Sequence, residues 1–328
     1  MSVIAGFAEE YKDPATNVIY IYDPAGNTAE VNEGYEWDED CECAEGDQPG
    51  SPDAKDEIII LDKITVNGKE YIVDKKEFIK NEIQNLEKKP KLVIVQVNDD
   101  PASNAYIRGK LKDSAEVGFE SEHIKLDETT TEKELLDLVE KLNNDDSVTG
   151  FIVQMPLPKG IDEEKVKRAV APEKDVDGFN PLSDLNPATP QGIVTFLKDE
   201  GFEFKGKNAL VFGRSNIVGR PMAKLLLDES MNVTVVHSKT SEEDKKFYLK
   251  HADLIVLAVG KIGLLSSNYE LKEDAVVIDV GINRGEDGKL HGDAVPDLKV
   301  GFQTPVPGGV GLLTRLALLL NLLKVAKK

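Results

Sequence analysis

From Lys91 onward, short runs of Val, Ile and Leu recur between amphipathic stretches. They are KLVIVQV (91–97), GFIVQMPLP (150–158), NALVF (208–212), NVTVVH (232–237), LIVLAV (254–259), AVVIDVG (275–281) and VGFQTP (300–305). Most are apolar at consecutive positions and too short for helices, so both faces of each strand must be buried. Strands of that kind belong to parallel sheets with helices on both sides. The segments between them have helical period: KKEFIKNEIQNLEKK (75–89, stopped by Pro90), SNAYIRGKLKDSAEVG (103–118), TEKELLDLVEKLNND (131–145, with Thr131 as cap), EEKVKRAV (163–170) and TPQGIVTFLKDE (189–200). SEHIKLDE (121–128) reads as one further strand, and IIILDKITVNGKEYIV (58–73) as a hairpin turning at Asn67-Gly68. The expectation is an α/β protein of two domains, the second a doubly wound, dinucleotide-type sheet from about residue 189 with helical crossovers.

Charge separates a different N-terminal piece. The chain has 328 residues and a net charge of −20, yet residues 1–57 alone carry 16 acidic and 2 basic side chains. Within them NVIYIYD could form one strand, before an acid- and Gly-rich stretch that buries too little to hold one fold. We expect a partly disordered extension, or a tiny accessory module, over 1–57. The charge argues against nucleic acid as a partner. No run of about 20 apolar residues is present to span a membrane. The last apolar stretch, LLTRLALLLNLLKVA (312–326), is interrupted by Arg315 and Asn321 and reads as a buried amphipathic helix. The first residues lack the pattern of a secretory signal, and Cys41 and Cys43 are the only cysteines, so a cytoplasmic setting is expected, with no disulfide framework and no metal site.

Six stretches could carry chemistry. In VFGRSNIVGRPM a strand enters Gly213-Arg214-Ser215 and a helix follows Gly219. That is the outline of a phosphate-binding turn with Ser215 in place of the middle glycine, or else an ordinary strand–helix connection. After the next strand, HSKT offers Ser238 and Lys239 where an NAD site would place an acid, which favours NADP. Tyr106 and Lys110 are four apart on one helix face, so a desolvated lysine could move protons, although a surface helix is the plainer reading. Gln154 and Met155 end a strand at the crevice side of a sheet. Asp175 and Asp177 share a Gly-Pro loop and suit either acid–base work or an Asx turn. TPVPGGVG, with Pro307, Gly308 and Gly309, can bring backbone close to a ligand or act as a rigid linker.

As an ordered set, DDPASNAYIRGKLKDSAEVGF, GFIVQMPLPKGID, PEKDVDGFNP, TPQGIVTFL, GRSNIVGRPMAKLLL, HSKT, VIDVGINR and TPVPGGVG resemble the bifunctional methylenetetrahydrofolate dehydrogenase/methenyltetrahydrofolate cyclohydrolases over residues ~60–328. The resemblance implies a catalytic, folate-binding domain over 58–188 and an NADP-binding Rossmann domain over 189–304. A C-terminal loop and helix, 305–328, would return to the first domain, and the assembly would be a homodimer. It implies that Lys110 transfers protons with Gln154 as partner, that Tyr106 orients folate and lysine, and that Asp177 holds the pterin. Met155, Pro307, Gly308 and Gly309 would line the substrate. Gly213, Arg214, Ser215 and Ser238 would hold NADP, with Ile282 beside the nicotinamide. The sequence departs from the pattern in a loop between Asp177 and Thr189 about ten residues short, in Ala188 for a cysteine, in Leu312 for a proline, and in the extension, which could recruit a partner. The competing expectations are a monofunctional dehydrogenase and a weakened enzyme acting as a scaffold.

Overall fold

The computed structural model describes residues 70–328 and the backbone of three short strands nearer the start of the chain. By internal contacts the chain divides into two units, Met1–Asp56 and Glu57–Lys328. In the first unit β1 (Glu9–Lys12), β2 (Ile19–Tyr22) and β3 (Thr28–Val31) form an antiparallel sheet in that order, with the strand expected from NVIYIYD at its centre. The acidic run beyond Val31, both cysteines and the Asn67-Gly68 turn lie outside the described residues.

Among the described residues the first element of the second unit is α1, residues 70–83. Here the structure corrects the expected second hairpin arm, because EYIV forms the first turn of the helix. Ile72, Ile79 and Ile83 fall on one helical face and all three are buried, so the helical period prevails over the β-branched composition of that turn. β4 (Lys91–Gln96), α2 (Pro101–Val117), β5 (Glu120–Lys125), α3 (Glu132–Asn143), β6 (Gly150–Val153) and α4 (Glu163–Ala169) follow. Thr131 caps α3 in a reciprocal capping box with Glu134. The three strands are parallel in the order β5-β4-β6. Val93 and Val95 bury one face of β4 against α3 and α4, and Leu92 and Ile94 bury the other against α2, which explains the continuous apolar run.

α5 (Ala188–Asp199) leads to a five-stranded parallel sheet of β7 (Asn208–Phe212), β8 (Asn232–Val236), β9 (Leu254–Leu257), β10 (Val276–Asp279) and β13 (Phe302–Gln303), in the order β8-β7-β9-β10-β13. α6 (Gly219–Asp228) and α7 (Glu242–His251) make the first two crossovers. The expected helices in the later crossovers are absent among the described residues. Turns join β9 to β10, and a two-stranded ribbon, β11 (Asn283–Arg284) and β12 (Leu290–His291), lies between β10 and β13. Gly260 and Gly263, at φ +75° and +67°, break any helical run after β9.

α8 (Val310–Ala326) returns to α2 and α5. It crosses α5 so closely that a Cβ on Gly192 would lie 2.5 Å from the Leu313 carbonyl oxygen. Its apolar residues are buried nearly all round, and its two polar interruptions are partnered. Arg315 Nε is 3.0 Å from Asp113 Oδ2, and Asn321 Nδ2 donates to the Val176 carbonyl at 2.9 Å.

Candidate active site

In each parallel sheet of the second unit the strand order reverses beside the first strand, and the crevice at the carboxyl ends there is where α/β sheets take ligands. In the first sheet this point lies between β4 and β6. Gln154 follows β6, its N–H still in the ladder with Val95 at 2.8 Å, so its side chain is aimed by a rigid strand. Lys110 Nζ donates to Gln154 Oε1 at 3.2 Å and sits 5.1 Å from the centre of the Tyr106 ring. The Gln154 amide in turn donates to the Met155 carbonyl at 2.8 Å, which fixes its orientation. Only 4% of Lys110 is exposed. Burial pulls the lysine below its usual range, and the charge of nearby Asp177 opposes the shift. The same desolvation raises Asp177, against the pull of Lys110. Tyr106 is pushed up to about 12, chiefly by burial, and hydrogen-bonds Thr314 at the start of α8.

Tyr106, Lys110, Gln154 and Asp177 therefore form one cluster. The paired acids of the sequence take different roles. Asp175 accepts from the Gly178 and Asn180 N–H groups at 3.1 and 2.8 Å, the Asx-type turn, while burial raises its carboxyl to about 6. The Asp177 side chain accepts no protein hydrogen bond among the described residues. The short loop after it closes directly: a Cβ on Gly178 would lie 2.4 Å from the Asn186 carbonyl oxygen, and Ala188 N donates to Asp177 O at 3.2 Å. Ala188 is buried in α5. Leu312 uses the N–H that a proline would lack, donating to Gly309 O at 3.0 Å. Pro307 and Gly308 stand exposed in the loop before α8, and Gly309 packs its α-carbon against Pro305 O. Thr314, tied to Thr189 at 2.9 Å, links this loop's helix to Tyr106, a connection that the sequence alone did not signal.

In the second sheet the reversal lies between β7 and β9. Gly213 leaves β7 at φ +106°, and a Cβ there would lie 2.4 Å from the Ala258 carbonyl oxygen. A Cβ on Gly219 would lie 2.4 Å from Gly213 O. Both glycines are thus required by close backbone approach. Ser215 Oγ accepts from the Val218 and Gly219 N–H groups at 3.2 and 3.3 Å, which holds the turn closed ahead of α6. The N–H groups of residues 214–217 have no protein acceptor among the described residues and remain for an anion. Arg214 is exposed beside them. Ser238, also exposed, leaves the same end of neighbouring β8, whose Val236 pairs with Phe212. Ile282, 58% exposed, lies past β10 on the crevice side. The cradle fits a dinucleotide phosphate: a tight turn that only two glycines allow, unpaired N–H groups and an arginine. Asn216 of this turn hydrogen-bonds Glu164 on α4, joining the rims of the two crevices.

Residues 66–177 match the family model described as tetrahydrofolate dehydrogenase/cyclohydrolase, catalytic domain, and residues 187–328 match its NAD(P)-binding domain. A bifunctional protein FolD of Oceanobacillus iheyensis is 43% identical over 277 residues, 80% of this chain and 96% of the relative. One from Acetivibrio thermocellus is 46% identical with the same coverage. Among solved structures, the FolD methylenetetrahydrofolate dehydrogenase/cyclohydrolase of Campylobacter jejuni superposes with a TM-score of 0.76 at 41% identity, covering 79% of this chain and 97% of that one. The Trypanosoma brucei enzyme, in complex with NADP cofactor and an inhibitor, gives 0.75 at 32% identity, covering 79% and 96%. The chain belongs to the tetrahydrofolate dehydrogenase/cyclohydrolase family.

Proposed function

We propose that this chain catalyses two consecutive steps at one cleft. The first is oxidation of 5,10-methylenetetrahydrofolate to the 5,10-methenyl cation, and the second is its hydrolysis to 10-formyltetrahydrofolate. Bound NADP+ supplies the hydride acceptor for the first step. Gly213, Arg214, Ser215 and Ser238 would hold its phosphates, and Ile282 would cover the nicotinamide end. Arg214 and Ser238, with no acid at the end of β8, favour NADP over NAD. The protein's part in hydride transfer is orientation: Tyr106, Met155, Asp177 and the Pro307-Gly308-Gly309 loop would seat the folate, with Asp177 accepting from pterin N–H groups.

The observation that carries the hydrolytic step is the buried Lys110 held on Gln154. Its lowered pKa populates the neutral amine, which can take a proton from the water attacking the methenyl carbon. As the bond from that carbon to N5 breaks, the same ammonium can return a proton to N5. The net equation releases one proton per water consumed. We further propose a homodimer in the cytoplasm. β8 is an edge strand with Val235 and, on α7, Phe247 exposed. No described helix is long and apolar enough to cross a membrane. The extension is the candidate partner-binding segment.

The test is a spectrophotometric assay with 5,10-methylenetetrahydrofolate and NADP+ or NAD+, for wild type and Lys110→Met. Reduction of NADP+ in both proteins, with the methenyl species accumulating only in the variant, is expected. No reduction with either cofactor would overturn the reading.

A further inference from the structure

The carboxylate of Asp293 lies outside the sites described above, yet it organises the floor of the second crevice. It is fully buried and follows β12. Its Oδ2 accepts from the Val259 and Gly260 N–H groups at 2.8 and 2.9 Å, and its Oδ1 from Lys261 N–H at 2.7 Å. Oδ1 also accepts from Asn283 Nδ2 at 3.0 Å. Three successive N–H groups at the carboxyl end of a strand make an anion-binding nest, and here the protein fills it itself. Asp279, at the end of β10, mirrors the arrangement by accepting from Gly281, Asp293 and Ala294 N–H groups at 2.9, 3.0 and 2.8 Å. The two carboxylates interlock through missing side chains: a Cβ on Gly281 would lie 2.2 Å from Asp293 Oδ1, and one on Gly292 2.1 Å from Asp279 Oδ2. Ile282 sits between Gly281, whose N–H is held by Asp279, and Asn283, whose amide is held by Asp293.

We propose that Asp293 is a positioning residue for hydride transfer, one that sets which way round the dinucleotide lies. By occupying the nest after β9 with its own negative charge, it denies that end to phosphate and leaves the turn at Gly213–Gly219 as the diphosphate site. By tying the loop after β9 to Asn283 and packing against the side-chain-free Gly281, it fixes Ile282 where the uncharged end of the cofactor must rest. This inference rests on the NADP-dependent reading and adds a residue that touches neither substrate nor cofactor.

The test compares full-length wild type, Asp293→Asn and Asn283→Ala in three assays. Reduction of NADP+ reports the whole cofactor, binding of 2′,5′-ADP reports its adenosine half, and decay of supplied methenyltetrahydrofolate without NADP+ reports the hydrolase. Asp293→Asn turns one charged acceptor into a donor facing N–H groups, so kcat/KM for NADP+ is expected to fall about 10- to 100-fold. Hydrolysis and 2′,5′-ADP affinity should stay within about threefold, because neither uses the Ile282 end. Asn283→Ala removes one tie only and should lower NADP+ turnover about fivefold with the same selectivity. The idea is overturned by unchanged NADP+ turnover, by equal losses in hydrolysis, or by an equal loss of 2′,5′-ADP binding. If Asp293→Asn does not fold, the Asn283→Ala result decides alone. Wild type that fails to reduce NADP+ would remove the functional reading itself, whereas active wild type with an unaffected variant removes only the role of Asp293.

Discussion

The two crevices of the second unit obey one topological rule with opposite materials. At the β4–β6 crevice the groups proposed to react are side chains on rigid elements: Lys110 is desolvated on α2 and held by Gln154 after β6. At the β7–β9 crevice the proposed binding surface is mostly backbone, and what matters is where side chains are missing, at Gly213 and Gly219. The difference teaches what each task requires. Moving a proton near neutral pH needs a tuned pKa, and tuning needs burial beside chosen charges. Holding a diphosphate needs many weak donors at close range, which only exposed N–H groups and a guanidinium supply.

The contrast is sharpest for Lys110→Met, which should cost the hydrolase about 10²- to 10⁴-fold while NADP+ reduction continues. Accumulation of the methenyl species in a progress curve measures it, and parallel loss of both activities would collapse the distinction between the crevices. Next comes Asp113→Ala. It leaves Lys76, 2.8 Å away, and Arg315 without their buried partner and should lower stability by about 3 kcal/mol in urea unfolding. A neutral result would mean that α8 is held on α2 by apolar packing alone. Gly219→Ala puts a Cβ 2.4 Å from Gly213 O and should cost about 2 kcal/mol of NADP+ affinity by calorimetry, with hydrolysis of added methenyltetrahydrofolate intact. Arg214→Ala should weaken NADP+ about tenfold and NAD+ little, narrowing the preference between them. The smallest effect is in pH dependence. Burial lowers the Lys110 pKa, so its base form grows in at lower pH than for a free lysine, and hydrolysis should rise with pH across that lowered value. A rising limb at the ordinary lysine position would show that the desolvation is lost when substrate binds.

Much of this was legible in the residues because strands buried on both faces announce themselves. KLVIVQV, NALVF and LIVLAV each became a parallel strand, and Thr131 became the cap its spacing required. The misplaced elements were those where local chemistry is ambiguous. EYIV has β-branched composition but helical spacing with Ile79 and Ile83, and the link after β9 has glycines that only geometry could interpret. In the site, Tyr106, Lys110, Gln154 and Asp177, which the structure brings together, could be named, whereas the residues that act through others could not. Thr314, Asp279 and Asp293 gain their meaning from partners at the ends of other elements, and no spacing along the chain records such partners.

The return of α8 also sets an order of assembly. Val310 emerges from a ribosome roughly 200 residues after Val117, which at typical synthesis rates means about 10–40 s during which α2 waits without its partner. Until then Asp113 lacks Arg315, Tyr106 lacks Thr314, and the apolar face that will meet Leu316 and Leu319 is bare. The crevice that holds Lys110 is thus finished in the nascent chain only after the nucleotide-binding sheet has been made, although its own strands come first.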